Sequence, residues 1–184
     1  GLAAGKSVIV CETEAELAEA LPRAEALGGR VVIEELLEGR EVSLFALCDG
    51  KRALTLAPAQ DFKRLLDDDL GPNTGGMGSY SPVPWLEAGE AEALTERIHL
   101  PVLRELAASG SPFHGLLYAG LMLTDAGPRV LEFNCRFGDP ETQALMPRLA
   151  SEPAALFRAC ARGELPSRRV DLRPYILYGE KPIV

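Results

Sequence analysis

Glu132, Asn134 and Arg136 occupy alternate positions in residues 130–141, VLEFNCRFGDPE. The stretch reads as a strand running into a helix. Strand side chains alternate between faces, so these three share one face while Leu131, Phe133 and Cys135 take the other. Glu132 and Asn134 both offer oxygen, and alpha carbons two positions apart lie roughly 6 to 7 Å from each other. Both side chains can therefore reach one hard cation such as Mg2+, held at about 2.1 Å. Arg136 adds a planar fork suited to phosphate. An edge strand with a solvated polar face would alternate in the same way. This strand is otherwise Val, Leu and Phe and runs into Gly138, so its polar face needs a reason, and metal and phosphate chemistry supplies one.

Other segments carry chemistry of the same kind. Gly5 and Lys6 lie in GLAAGKS, which has three residues between its glycines rather than the four of a P-loop and leads into Val8, Ile9 and Val10 rather than a helix, so the P-loop reading is rejected. A glycine-rich loop between strands can still close its amides and the Lys6 ammonium over phosphates; an ordinary turn with a surface lysine is the alternative. In EELLEGRE, residues 34–41, a strand end can read an adenine edge through its backbone. A carboxylate a few residues on, Glu41, can accept both ribose hydroxyls; a solvated acidic turn remains open. Lys63 and Arg64 bring two cations into a polar loop, followed by GPNTGGMG at residues 71–78. That glycine density suits close backbone approach to a ligand or a mobile lid, which makes Asn73, Gly75 and Gly76 substrate candidates; a disordered surface loop is the plain alternative. Asp139, Pro140 and Glu141 explain themselves as helix initiation, with Asp at the N-cap, Pro at the first helical position and an acid in the first turn. A substrate contact from Asp139 or Glu141 would be an addition to that role.

Composition narrows the classes. The 184 residues suit one domain, or one domain and the edge of another, and 47% hydrophobic content is enough for a real core. A net charge of -8 argues against a nucleic-acid surface, which needs clustered Lys and Arg. The longest nearly unbroken apolar run, residues 116–123, is too short to span a bilayer, and no charged-then-apolar leader opens the chain. The expectation is a soluble cytoplasmic protein acting on small molecules, with no obligate protein partner evident. Cys11, Cys48, Cys135 and Cys160 are scattered singly and read as reduced core thiols. His99 and His114 are assigned no role.

The elements that must position these residues follow from periodicity. Residues 8–10 and 31–33 read as short strands. Thr13 with Glu16 makes a capping box for a helix carrying Leu17, Leu21, Ala24 and Leu27, ended by Gly28 and Gly29. Residues 42–48 pair with 52–57 across Asp49 and Gly50, and 116–123 with 129–135 across residues 125–128. Residues 61–81 form a polar loop. A helix from about 90 to 108 is interrupted by Pro101, and helices follow at 140–149 and 153–162. Mixed helices and antiparallel hairpins make the class α+β. The chain opens at Gly1 inside a glycine-rich turn, so the expectation is a fragment of a larger multidomain chain, with a domain over residues 1–165 and a linker or the edge of a C-terminal domain over 166–184.

Taken in order, GLAAGK, VIEELLEGRE, QDFKR, GPNTGGMGSYSP, LYAGL and LEFNCRFGDPET resemble the glycinamide ribonucleotide synthetase (phosphoribosylamine glycine ligase) family of ATP-grasp enzymes in purine biosynthesis, over roughly residues 1–165. GPNTGGMG and EFNCRFGDPET are specific to that family, whereas the adenine segment is shared by ATP-grasp proteins at large. The resemblance implies the ATP-grasp fold, two α+β subdomains holding ATP between them. It also implies backbone contacts from Glu35 and Leu37 to adenine, Glu41 on the ribose, and Lys6 and Lys63 on the phosphates. Mg2+ or Mn2+ would lie on Glu132 and Asn134, and Arg136 and Lys63 would be the catalytic cations. The implied reaction joins glycine to 5-phosphoribosylamine through a glycyl phosphate. Another ATP-grasp carboxylate-amine ligase and a non-catalytic ATP-binding module are the rival readings. The chain departs from the family pattern in having Phe62 where His is usual and Ser7 where Gly is usual. It also lacks the upstream strand with its lysine, and residues 118–121 carry no metal carboxylate.

Overall fold

Residues of the central strand alternate between two buried faces, and that strand organises most of the molecule. The computed structural model describes residues 8–28, 30–67, 70–167 and 169–174, and the backbone of 177, 178, 181 and 182. The elements in chain order are α1 (Glu14–Ala26), β1 (Arg40–Asp49), β2 (Ala53–Thr55), β3 (Gln60–Asp61), β4 (Arg64–Leu66), β5 (Leu70–Asn73), β6 (Ser79–Tyr80), α2 (Glu90–Ala108), β7 (His114–Thr124), β8 (Gly127–Asn134), α3 (Glu141–Leu145) and α4 (Pro153–Arg162). The chain divides into two compact units, one of residues 1–38 and 62–77, the other of residues 39–61 and 78–184.

In the larger unit a sheet of order β2-β1-β7-β8 is antiparallel throughout. One face presents Val42, Leu44, Ala46 and Cys48 from β1 with Leu117, Ala119 and Leu121 from β7, and α2 covers it with Ala91, Leu94 and Leu103. The other presents Phe45, Leu47, Leu116 and Tyr118, covered by Leu145 of α3 and by Leu156 and Cys160 of α4. A strand covered on both sides is apolar at nearly every position, which is why β1 reads LFALC. Asp49 closes the β1–β2 hairpin. Its Oδ1 accepts from Lys51 N and Arg52 N, and its Oδ2 accepts from Leu165 N. The turn centres on Gly50 and Lys51, one residue later than expected, because Asp49 pairs with Arg52 through its backbone and Gly50 takes the left-handed φ of +86°. Residues 169–174 pack on this unit: Val170 is buried, Leu172 bridges Leu149, and Arg173 N donates to Arg148 O.

In the smaller unit α1 is capped at Thr13, whose Oγ1 accepts from Glu16 N at 3.2 Å, while the Glu16 carboxylate returns to Glu12 N rather than to Thr13. The expected polar loop is partly paired: β4 with β5 in this unit, and β3 with β6 in the larger one.

Three further expectations are corrected. Residues 8–10 and 31–33 form no strand among the described residues; β-branched composition suits a strand, but a strand exists only where a partner supplies the ladder. The helix α2 runs unbroken through Pro101, held by Leu94 and His99 before the proline and Leu103 after it, all buried. The expected helix over 140–149 stops at Leu145 and continues as a 3-10 turn over Met146–Arg148, since Pro147 has no N–H with which to carry the α-helical ladder on.

Candidate active site

The β7–β8 register pairs Tyr118 with Asn134, Ala119 with Phe133 and Gly120 with Glu132, then passes to Leu121 with Val130. Leu131 is thus the extra residue of a β-bulge. Beyond the bulge the period of two holds, and Asn134 Nδ2 donates to Glu132 Oε1 at 2.9 Å, so the two side chains do share a face. Gly120 opposite Glu132 has no side chain; a Cβ there would meet Glu132 Cγ at 3.4 Å, an ordinary van der Waals contact. Glu132 is exposed and Asn134 half-buried. Their oxygens are the hard donors that Mg2+ or Mn2+ takes. No group of three or more His, Cys, Asp or Glu among the described residues could hold a metal, so this pair fits an ion that completes its shell with phosphate oxygens and water, as Mg2+ commonly does.

Arg136 does not extend that face. The strand ends at Asn134, and Arg136 sits in a bend, exposed, with Nη1 donating to Phe137 O at 3.0 Å. The helix start also differs from expectation. Pro140, not Asp139, takes the N-cap position and no side chain caps it; Asp139 is exposed and accepts from Gln143 Nε2 at 2.8 Å. Glu141 is the first helical residue and is only 3% exposed. Glu41 lies in β1 opposite Met122, half-buried, on the face that carries Ser43 and Phe45.

In the smaller unit, Thr74 donates to Lys63 O from both N, at 2.7 Å, and Oγ1, at 2.9 Å. Gly76 N donates to Thr74 Oγ1, and Met77 N to Phe62 O. These bonds fold the segment holding Asn73, Gly75 and Gly76 directly onto Lys63, and Gly76 adopts φ +112°, which only glycine takes readily. Glu35 is exposed, Leu37 half-buried, and Phe62 55% exposed. Lys6 lies outside the described residues.

The sequence reading missed a buried polar cluster. Tyr118 OH donates to Glu141 Oε1 at 2.9 Å, Ser43 Oγ donates to the same oxygen at 3.2 Å, and the two hydroxyls are 2.9 Å apart. Burial, with the Glu141 carboxylate beside it, pushes the Tyr118 hydroxyl above its ordinary range, so it remains a donor. The available signal was Ser43 interrupting an apolar strand. On the opposite face His99 is fully buried, and Nε2 is 3.2 Å from Leu117 O; since a carbonyl only accepts, the proton sits on Nε2. Burial lowers the pKa of His99 to about 4. Of the thiols, Cys48 and Cys160 are buried, Cys11 is half-buried and Cys135 exposed, so the core-thiol expectation holds for two of four. Burial pushes Cys48 up to about 12, which leaves it unreactive. Among the described residues no helix is long and apolar enough to cross a membrane.

Residues 1–142 match the family described as Phosphoribosylglycinamide synthetase, ATP-grasp (A) domain. The chain is 53% identical over 167 residues to the Phosphoribosylamine--glycine ligase of Leifsonia xyli subsp. xyli, covering 90% of this chain and 39% of that protein. It is 51% identical over 174 residues to the enzyme of the same name from Streptomyces coelicolor, covering 95% and 40%. The crystal structure of Phosphoribosylamine--glycine ligase from Thermotoga maritima superposes with a TM-score of 0.78 at 34% identity, over 94% of this chain and 45% of that one. The family match and the likeness to that crystal structure together define an ATP-grasp architecture of class α+β. More particularly, the chain belongs to the phosphoribosylglycinamide synthetase ATP-grasp (A) domain family. It spans about two fifths of the length of the curated relatives it matches.

Proposed function

We propose that the protein carrying this domain is an ATP-dependent C–N ligase of purine biosynthesis. It would join glycine to 5-phosphoribosylamine and yield glycinamide ribonucleotide, ADP and phosphate. The observation that carries this reading is the pairing of Glu132 with Asn134 on one face of β8, in a family whose curated members bear the ligase name.

A carboxylate is a poor electrophile, so one of its oxygens must first become a phosphate leaving group. The glycine oxygen attacks the γ-phosphorus and the bond to the ADP oxygen breaks. The amine of phosphoribosylamine then attacks the acyl carbon, the C–O bond to phosphate breaks, and the amine loses a proton. In this reading Glu132 and Asn134 hold Mg2+ or Mn2+, which when bound neutralises charge on the transferring phosphoryl group. Arg136 and Lys63 neutralise the remainder as catalytic cations, and Lys6 adds a phosphate contact. The backbones of Glu35 and Leu37 read adenine and Glu41 accepts from the ribose hydroxyls. Asp139, Asn73, Gly75 and Gly76 are the substrate-side residues. Water must be kept from the acyl phosphate, which it would hydrolyse. The substrates are small molecules and the setting is cytoplasmic.

The test is product formation from glycine, phosphoribosylamine and ATP by the full-length protein. Ligation of a different acid in place of glycine would replace the substrate assignment, and ATP binding without ligation would reduce the protein to a binding module.

A further inference from the structure

The helix-initiation reading makes Glu141 a first-turn acid, and the fold buries it. Its Oε1 takes both hydroxyls of the cluster, Tyr118 and Ser43, and its Oε2 is buried with no hydrogen-bond partner among the described residues. Gly138 packs against that carboxyl group so closely that a Cβ there would overlap it. The turn between β8 and α3 is tied down from the other side by Ser79 Oγ, which donates to Pro140 O at 2.9 Å. Burying a carboxylate without a cationic partner is expensive, and an apolar residue would fill the same place at lower cost, so packing alone does not explain Glu141.

The register shows what the cluster sits beside. Tyr118 is the cross-strand partner of Asn134, and Ser43 is the partner of Gly120, itself the partner of Glu132. The two hydroxyls that Glu141 holds therefore belong to the same two cross-strand rows as the two metal-ligand candidates. We propose that Glu141 is a positioning residue, which fixes the Glu132–Asn134 oxygen pair by anchoring Tyr118, Ser43 and the Gly138 turn. This rests on the reading that Glu132 and Asn134 hold the metal. Groups that orient metal ligands from behind typically change metal affinity 10- to 100-fold when removed.

The test uses the full-length protein and Mn2+ as the probe, with Mn2+ affinity measured in the presence of ATP, ATP affinity measured without metal, and thermal melting for each variant. Glu141→Leu is expected to weaken Mn2+ about 10-fold or more while metal-free ATP affinity stays within about twofold. Glu141→Gln keeps an acceptor for both hydroxyls and is expected to restore most of the loss. Should Glu141→Leu fail to fold, Tyr118→Phe removes only one hydroxyl and is expected to weaken Mn2+ several-fold. Wild-type Mn2+ affinity in a folded Glu141→Leu protein, or in Tyr118→Phe, overturns the proposal. Glu132→Ala separates the two readings: if it leaves Mn2+ affinity intact, the metal assignment itself falls; if it abolishes binding while the Glu141 and Tyr118 variants bind normally, only the positioning role falls.

Discussion

On the α2 side of the sheet, Val42, Leu44, Ala119 and Leu121 meet Ala91 and Leu94 in an apolar layer. One position along the same strands, the opposite side carries Ser43, Tyr118, Glu132 and Asn134. The α2 side holds one buried titratable ring, His99, kept neutral. The other side gathers a buried carboxylate, two hydroxyls and an exposed carboxylate–amide pair. Alternate residues of one set of strands thus carry packing alone on one side and, on the other, polar groups set beside the core of Phe45, Leu47 and Leu116, so substitutions one residue apart should fail in different ways.

The sharpest break in that contrast is Glu132→Ala. Its side chain is exposed, so melting should change little, while metal-dependent ligation should fall about two to three orders of magnitude. Parallel losses in melting temperature and turnover would mean the residue is structural. On the apolar side, Leu103 is 1% exposed, and Leu103→Ala should cost about 2–5 kcal/mol of unfolding free energy, read by urea denaturation, with Mn2+ affinity of the folded fraction unchanged. A changed Mn2+ affinity there would show that the two faces are coupled.

His99 sharpens the comparison through pH. Its folded pKa of about 4 lies below the unfolded value near 6.5, so the unfolded chain binds more protons between those limits. Its contribution is therefore complete above about pH 6.5 and lost as pH falls toward about 4, on the order of 3 kcal/mol in all. Denaturation of wild type and His99→Gln across that window checks it; equal slopes would remove His99 as the acid-sensitive group. The smallest effect expected is for Glu41→Ala: about tenfold weaker ATP binding, near 1.4 kcal/mol, with the dependence on glycine unaltered. Unchanged ATP affinity, measured by nucleotide titration, would take Glu41 out of the ribose role.

What could be read from residues alone was whatever repeats locally. The β7–β8 hairpin, α1 with its Thr13 cap, α4, and the sharing of a face by Glu132 and Asn134 all follow from a period of two or 3.6 and from capping chemistry. Arg136 was misplaced because alternation was carried past the strand end. Glu141 read as a first-turn acid because nothing in GDPE announces that α3 turns that side chain onto Tyr118, 23 residues away in sequence. The apolar run at 31–33 has strand composition without a strand, since pairing is decided by distant backbone. Assigning phosphate, ribose and adenine roles drew on the family resemblance rather than on any local signal.

Leu131 behaves like an inserted letter in a two-letter code. Counting back by twos from Glu132 assigns Val130 to its side of the sheet, but the frame shifts at Leu131, and Arg129, opposite Met122, stands there instead. A relative lacking the residue at 131 would still place Glu132 opposite Gly120, whereas a deletion at 133 would turn Asn134 to the other side. Sequence comparison across this strand therefore has to score a gap by where it falls, not by its length.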